Sequence, residues 1–298
     1  MNILRMALIL NFCCLPPVGP CSGPSAQAAS QSRLDQPSEN LALTDVLEKT
    51  ADYCSKLDRS AFDFICLEQI EEKINFYRDI QNYLDRHSVS PGSQDWGQIA
   101  LPKEKVTRTF VYDYQVIRKA GLVTEKRALL EENGKKRRED DARLKTAVFQ
   151  FRNVLFAPIG VLSKPLQLYY NYKIVNEAAL NGEAVLIVEA KPKPGFKSEF
   201  LYGKVWLRKA DGGILKIEWD QAGIGNYAIF ERRAESYGAQ PRIALTSEFA
   251  TEKSGIRFPS RFAIEEAYIL KNGKKFVRSV TTVAYSQFKF FTVEVSVD

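Results

Sequence analysis

From residue 106 to its C-terminus the chain alternates. Large apolar side chains recur at every second position, and tight-turn dipeptides separate the runs. Arg108-Phe110-Tyr112-Tyr114-Val116-Arg118 places four apolar or aromatic groups on one face of a strand. Leu122 to Glu132 follows after Ala120-Gly121, and further strands are expected at 167–178, 183–191, 202–209, 213–220, 226–237, 241–251, 256–270, 274–285 and 287–297. Asn181-Gly182 and Asn272-Gly273 suit two-residue hairpins, because both residue types tolerate positive φ. Asp211-Gly212-Gly213 and Lys253-Ser254-Gly255 are further reversals. Consecutive strands joined by such short turns must pair antiparallel. Composition agrees: 18 Phe, 13 Tyr and 3 Trp against 2 Met favour strands over a helical bundle.

Two segments carry helical spacing instead. Leu43, Val46, Leu47, Thr50, Ala51, Cys54 and Leu57 recur three and four residues apart, with Thr44 or Asp45 as the cap and an end near Asp58. Leu144, Val148, Phe151, Leu155, Ile159 and Leu162 form a second stripe, interrupted at Pro158 and ended at Pro165. Between them, Phe62, Phe64, Cys66 and Ile70 alternate as a strand whose continuation through Tyr77 could equally be helical. Residues 86–104 are turn-rich and read as a loop. The fold expected is α+β, mainly β: a strongly curved antiparallel sheet, an incomplete barrel, with helices on its concave face. It forms one domain over 44–298.

The N-terminus has the order of a secretory signal. Arg5 is followed by the apolar stretch Met6–Leu15, and Ala26-Gln27-Ala28 has the small-x-small form of a cleavage site. Residues 1–28 are thus expected to be removed and 29–43 to form a flexible leader, in a protein exported to the periplasm. The apolar run breaks at Pro16-Pro17, short of the ~20 residues that a membrane span needs. A lipid anchor at Cys21 is disfavoured by the preceding Pro20. Without residues 1–28 the chain loses Arg5 and carries a net charge of +5, too mild to demand a nucleic-acid partner. Cys54 and Cys66 then remain as an even pair in an oxidising compartment. The simplest expectation is one disulfide, contributing ~2–3 kcal/mol, with two buried thiols as the alternative.

Gly203-Lys204-Val205-Trp206-Leu207-Arg208 followed by Gly213-Ile214-Leu215-Lys216-Ile217-Glu218 resembles a hairpin of the outer-membrane lipoprotein-sorting carriers, the LolA/LolB-like superfamily. Tyr53-Cys54 and Phe64-Ile65-Cys66-x-Glu68 are similar to an N-terminal pattern of secreted bacterial relatives. The resemblance covers roughly residues 44–298. It implies an incomplete barrel enclosing an apolar cavity for acyl chains, hence a non-enzymatic binder of lipid or of an acylated protein.

Catalytic alternatives find little support in the residues. The single histidine, His87, sits in a turn-rich loop with no G-x-S-x-G motif. Glu218 with Asp220, and Glu265 with Glu266, are acid pairs that solvated strands produce by chance. Phosphate-loop and metal-ligand spacings do not occur. The basic run Lys135-Lys136-Arg137-Arg138, balanced by Glu139-Asp140-Asp141, reads as a solvated turn. What remains is a set of inward-facing side chains able to line a cavity: Phe110, Tyr112, Tyr114, Phe151, Leu155, Val205, Leu207, Leu215, Ile217, Trp219, Phe258 and Phe262. Three readings follow: an acyl-chain carrier, an envelope sensor or scaffold that binds another protein, and a hydrolase. No cofactor or metal is called for.

Overall fold

The computed structural model describes residues 36–59, 63–87, 103–119, 122–149, 156–197, 201–224 and 227–291. In chain order these form α1 (Gln36–Arg59), β1 (Asp63–Asn75), α2 (Tyr77–Arg86), β2 (Lys105–Lys119), β3 (Leu122–Glu132), β4 (Lys135–Glu139), α3 (Ile159–Leu162), α4 (Lys164–Gln167), β5 (Tyr170–Leu180) and β6 (Glu183–Pro192). There follow β7 (Gly203–Arg208), β8 (Ile214–Trp219), α5 (Ala228–Tyr237), β9 (Ala239–Glu248), β10 (Thr251–Lys253), β11 (Ile256–Phe258), β12 (Arg261–Leu270) and β13 (Lys275–Phe291). Eleven strands make one sheet in the order β4-β3-β2-β1-β13-β12-β9-β8-β7-β6-β5, and β10 pairs with β11 in a separate hairpin. Every pairing is antiparallel. β4 and β5 end the sheet without meeting, so the barrel stays open. The α+β, mainly β class expected from the alternation is therefore what forms.

Laid flat, such a sheet would be roughly 50 Å wide at ~4.8 Å per strand. Its buried face nevertheless forms one contiguous apolar cluster, running from Leu129 on β3 through β1, β13 and β9 to Tyr170 on β5. Helix α1 lies over this inner face, touching α3, α4, β5 and β11. Val46, Tyr53, Cys54 and Leu57 are its buried stripe, as the spacing predicts. The helix starts at Gln36 rather than at a Thr44 or Asp45 cap, so the last residues of the expected flexible leader are helical.

The turns fall where the dipeptides predict, but Asn272-Gly273 is not a two-residue hairpin: Gly273 alone of the two has a positive φ, 79°, and the Leu270 N–H donates to the Lys274 carbonyl across a three-residue turn. Asn181 and Gly182 have φ of 52° and 81°, and Ser254 and Gly255 have 52° and 73°. Asn133-Gly134 joins β3 to β4 in the same way, so the basic run is a fully exposed edge strand rather than a bare turn. Gly212 has a further duty. Its φ is 71°, and a Cβ there would sit 2.5 Å from the Thr50 backbone nitrogen. The β7–β8 turn thus presses against α1, and the Thr50 hydroxyl, which donates to the Val46 carbonyl at 2.8 Å, also lies 3.3 Å from the Gly212 carbonyl.

Several expectations are corrected. Residues 226–237 are not a strand: the described part is α5, ended by Gly238 in the left-handed conformation, with its N–H donating to the carbonyls of Ala234 and Glu235. The described residues of the 144–162 stripe do not form the expected helix. Residues 142–149 have no regular structure, and among the described residues of the stripe only Ile159–Leu162 makes a helical turn. Residues 75–86 divide between the end of β1 and α2. The expected 256–270 strand breaks into β11 and β12. The two expected last strands are one, β13, bent where Gln287 takes a φ of 56° and the register against β1 shifts.

The disulfide is also not borne out. Cys54 on α1 and Cys66 on β1 are separate free thiols, both buried in the apolar cluster. Burial pushes the Cys54 thiol from 9.0 up to about 12 and raises Cys66 as well. They pack as small apolar groups, the alternative left open by the sequence.

Two predictions follow from this packing. Gly212→Ala should cost about 1–3 kcal/mol more in urea unfolding than Gly134→Ala, whose added methyl meets nothing within 4 Å; equal losses would refute the seating of the turn on α1. Peptide mapping after alkylation at pH 8 should show Cys54 and Cys66 unmodified in folded protein and modified in urea. Because the folded thiol keeps its proton to about 12 while the unfolded one ionises near 9.0, its contribution to stability is complete below pH 9 and falls as pH climbs toward 12. Cys54→Ala should flatten that alkaline loss, and a Cys54–Cys66 cross-linked peptide would contradict the thiol assignment.

Candidate functional site

The inner face is the site on which the sequence expectations converge. Ten of the twelve predicted lining residues are buried there or beside it: Phe110, Tyr112, Tyr114, Val205, Leu207, Leu215, Ile217, Trp219, Phe258 and Phe262. Phe151 and Leu155 lie outside the described residues. Nine of the ten belong to the single cluster. Leu215 does not, because β8 bulges there: Trp206 pairs with Lys216 and Leu207 with Ile214, leaving Leu215 unpaired. Ile214, not Leu215, is therefore the inward neighbour of Ile217 and Trp219. An aromatic group fills one end, where the Phe64 ring stands 5.5 Å from Phe258, 5.4 Å from Phe288 and 6.1 Å from Phe290.

The sequence reading missed how polar this face is. On β1 the inward residues run Phe64, Cys66, Glu68, Ile70, Glu72 and Ile74, and all six are buried. Glu68 is gripped by a bidentate Arg127 from β3, at 2.6 and 3.0 Å. Tyr285 from β13 donates its hydroxyl to the same carboxylate at 3.1 Å. The guanidinium also lies 4.7 Å above the Tyr114 ring, and the Tyr114 hydroxyl donates to Glu125. Burial, then the charge of Glu125, holds the Tyr114 phenol well above its usual value; burial, then Glu68, does the same for Tyr285. Burial alone would weaken Arg127's hold on its proton, but the bonds and charge of Glu68 more than offset it, and the group is raised on balance.

Glu72 has a different task. Its carboxylate accepts the backbone N–H of Ala147 at 2.9 Å and of Val148 at 2.8 Å. The Lys145 N–H donates to the Tyr112 hydroxyl at 3.3 Å, and the Ala142 N–H donates to the Arg127 carbonyl at 2.8 Å. Phe149, fully buried, packs 5.3 Å from Phe262. Residues 142–149 are thus a strap laid across the inner face and pinned by side chains of the sheet. Amides bound to a carboxylate cannot also close a helical ladder, which accounts for the failure of the helical expectation.

A third buried carboxylate, Glu266 on β12, closes the far end. It accepts from Arg233 on α5 at 2.9 Å, Arg278 at 3.1 Å, Tyr268 at 2.6 Å and Ser279 at 3.0 Å. Arg278 also reaches Asp79 on α2 at 3.1 Å, and the Tyr237 hydroxyl donates to Asp79 at 2.7 Å. This network clamps α2 and α5 to the sheet. Glu265, by contrast, pairs with Lys275 at the surface, so the two acids never act together.

Chemically, all three buried carboxylates spend their oxygens on donors that hold the fold. His87 is exposed at the end of α2, 2.8 Å from the Tyr83 carbonyl. Among the described residues no group of His, Cys, Asp and Glu could hold a metal ion, and no helix is long and apolar enough to cross a membrane. The one available signal for the buried acids was parity. Glu68 and Glu72 occupy the same alternation as Phe64 and Ile70, and Arg127 the same alternation as Leu129.

No family model matches the chain, and no curated protein matches it. Among solved structures it is similar to the LolA superfamily protein NE2245 from Nitrosomonas europaea, at 11% identity and a TM-score of 0.33, covering 84% of this chain and 94% of that one. It is similar to a DUF1329 family protein from Desulfovibrio piger, at 14% identity and a TM-score of 0.36, covering 85% and 95%. It is also similar to MucB in complex with MucA(peri), at 10% identity and a TM-score of 0.22, covering 84% and 100%.

Substitution at the first carboxylate tests the geometry. Arg127→Met leaves Glu68 buried without its cation and should cost about 3–5 kcal/mol in urea unfolding. The double variant Glu68→Gln/Arg127→Met should recover a large part of that loss. A single-variant loss below about 1 kcal/mol would show the pair to be solvated.

Proposed function

We propose that this chain is an exported, non-enzymatic binding protein that holds lipid or lipoprotein acyl chains against the inner face of its half-barrel. One observation carries the reading. The aromatic inner face is covered at its centre by a strap without regular structure, attached through a few side-chain bonds rather than a hydrogen-bonded ladder. Lifting residues 142–149 breaks the bonds to Glu72 and Tyr112 and exposes Phe149, Phe262 and their neighbours. An acyl chain entering there would gain about 25 cal/mol for each Å² of apolar surface removed from water. The sequence resemblance to lipoprotein-sorting carriers points the same way, and the signal-like residues 1–28 supply the export.

A second reading, an envelope protein that binds another protein, has its own support. Leu168, Tyr169 and Val175 are exposed on and beside β5, the unpaired edge of the sheet.

Native mass spectrometry of the purified protein is expected to show co-purifying lipid. Displacement of a fluorescent fatty acid should be several-fold faster in Glu72→Ala, which unpins the strap. Lipid-free protein in every preparation, with no fatty-acid binding, would remove the carrier reading and leave the β5 edge as the surface to pursue.

A further inference from the structure

Away from the strap, where β1 gives way to α2 beside the β12–β13 turn, the surface holds a pocket of about 190 Å³. Asn75, Tyr77, Arg78, Leu270, Lys274 and Phe276 line it. The polar lining is made of donors. Arg78 and Lys274 are cations, Tyr77 brings a phenol, and Asn75 has its carbonyl oxygen engaged by the Tyr77 N–H at 3.0 Å, which leaves its NH₂ as the free end. No carboxylate is among the lining residues.

The cations there are also unspent. Arg78 is half-buried and lies 5.4 Å over the Phe276 ring, yet among the described residues its guanidinium meets no carboxylate and no hydrogen-bond acceptor. The Lys274 ammonium has no partner either, although its backbone N–H is bound by Asn272. The nearby acids are committed elsewhere: Asp79 to Arg278 and Tyr237, and Glu265 to Lys275. Arg208, half-buried like Arg78, is by contrast bound by Asp211 and Glu183.

We propose that this pocket is a binding site for a phosphate group. A planar fork on one side and a point charge on the other suit a tetrahedral oxyanion, the Asn75 and Tyr77 donors serve its remaining oxygens, and Leu270 with Phe276 flank an attached organic moiety. The source is either a soluble phosphate compound or the headgroup of a phospholipid. The site does not depend on any ligand beneath the strap.

The test uses the full chain, with inorganic phosphate followed by calorimetry and by amide shifts in NMR. Sedimentation runs alongside with phosphatidylcholine vesicles, with and without one-third phosphatidylglycerol. Saturable binding is expected, weakened about tenfold or more in Arg78→Gln and in Lys274→Gln and unchanged in Lys135→Gln on the remote β4 edge. Lys274 is exposed, so its variant keeps the fold if Arg78→Gln does not. Binding of phosphate itself assigns a soluble ligand. Binding only to phosphatidylglycerol vesicles, lost in Lys274→Gln, assigns a headgroup. Absence of both, or binding equal in the wild type and both pocket variants, overturns the proposal.

Discussion

An open eleven-stranded sheet must bury one face, and nothing in the sheet itself can cover it. In this chain the cover comes from α1, the short turns α3 and α4, the strap 142–149 and the pair α2 and α5. Apolar contact is joined by polar bonds at several of these segments. The Thr50 hydroxyl meets the Gly212 carbonyl under α1, Glu72 receives the strap, and Glu266 receives α5 and, through Arg278, α2. The strap, α2 and α5 thus depend on carboxylates that are buried only because donors saturate them.

Those carboxylates are costly to desolvate, and replacing a buried ion pair with apolar groups is often neutral or stabilising. Their value here is positional. Apolar contact between a sheet and a covering segment tolerates sliding, whereas a carboxylate that accepts two particular amides does not. Glu72 selects Ala147 and Val148, and so sets which residue of the strap, Phe149, stands against Phe262. The bidentate Glu68–Arg127 pair likewise bridges β1 and β3 across the intervening β2.

Most of the sheet was legible in the residues because its determinants are local. Asn181-Gly182 and Ser254-Gly255 dictate their own backbone, and the alternation of Phe110, Tyr112 and Tyr114 needs no distant partner. The same alternation placed ten of the twelve candidate side chains at positions that are buried. What escaped is what tertiary contacts decide. The stripe through Leu144 and Val148 is a fair helix until Glu72, more than seventy residues earlier, takes its amides. The segment ending at Tyr237 carries the helix formers Ala228, Glu231, Arg232 and Arg233 and a terminal Gly238, but lying among strands it reads as one more. Leu215 shares parity with Ile217 on paper, and a one-residue bulge removes it. Glu68, Glu72 and Glu266 sit at inward positions in plain view, yet an acid there has meaning only once its arginine or amide partner is known.

β1 is an interior strand, bordered by β2 on one side and by β13, the last of the described strands, on the other. Its residues Asp63 to Ile74 meet Phe291 to Ser279, so β1 waits for a strand made more than two hundred residues later. Chain closure over more than two hundred residues is entropically dear and slow. Until it happens, the half carrying β1 to β4 and the half carrying β5 to β12 are two ribbons with raw seams. Assembly therefore has a built-in order: the two ribbons become one sheet only when β13 is available to both.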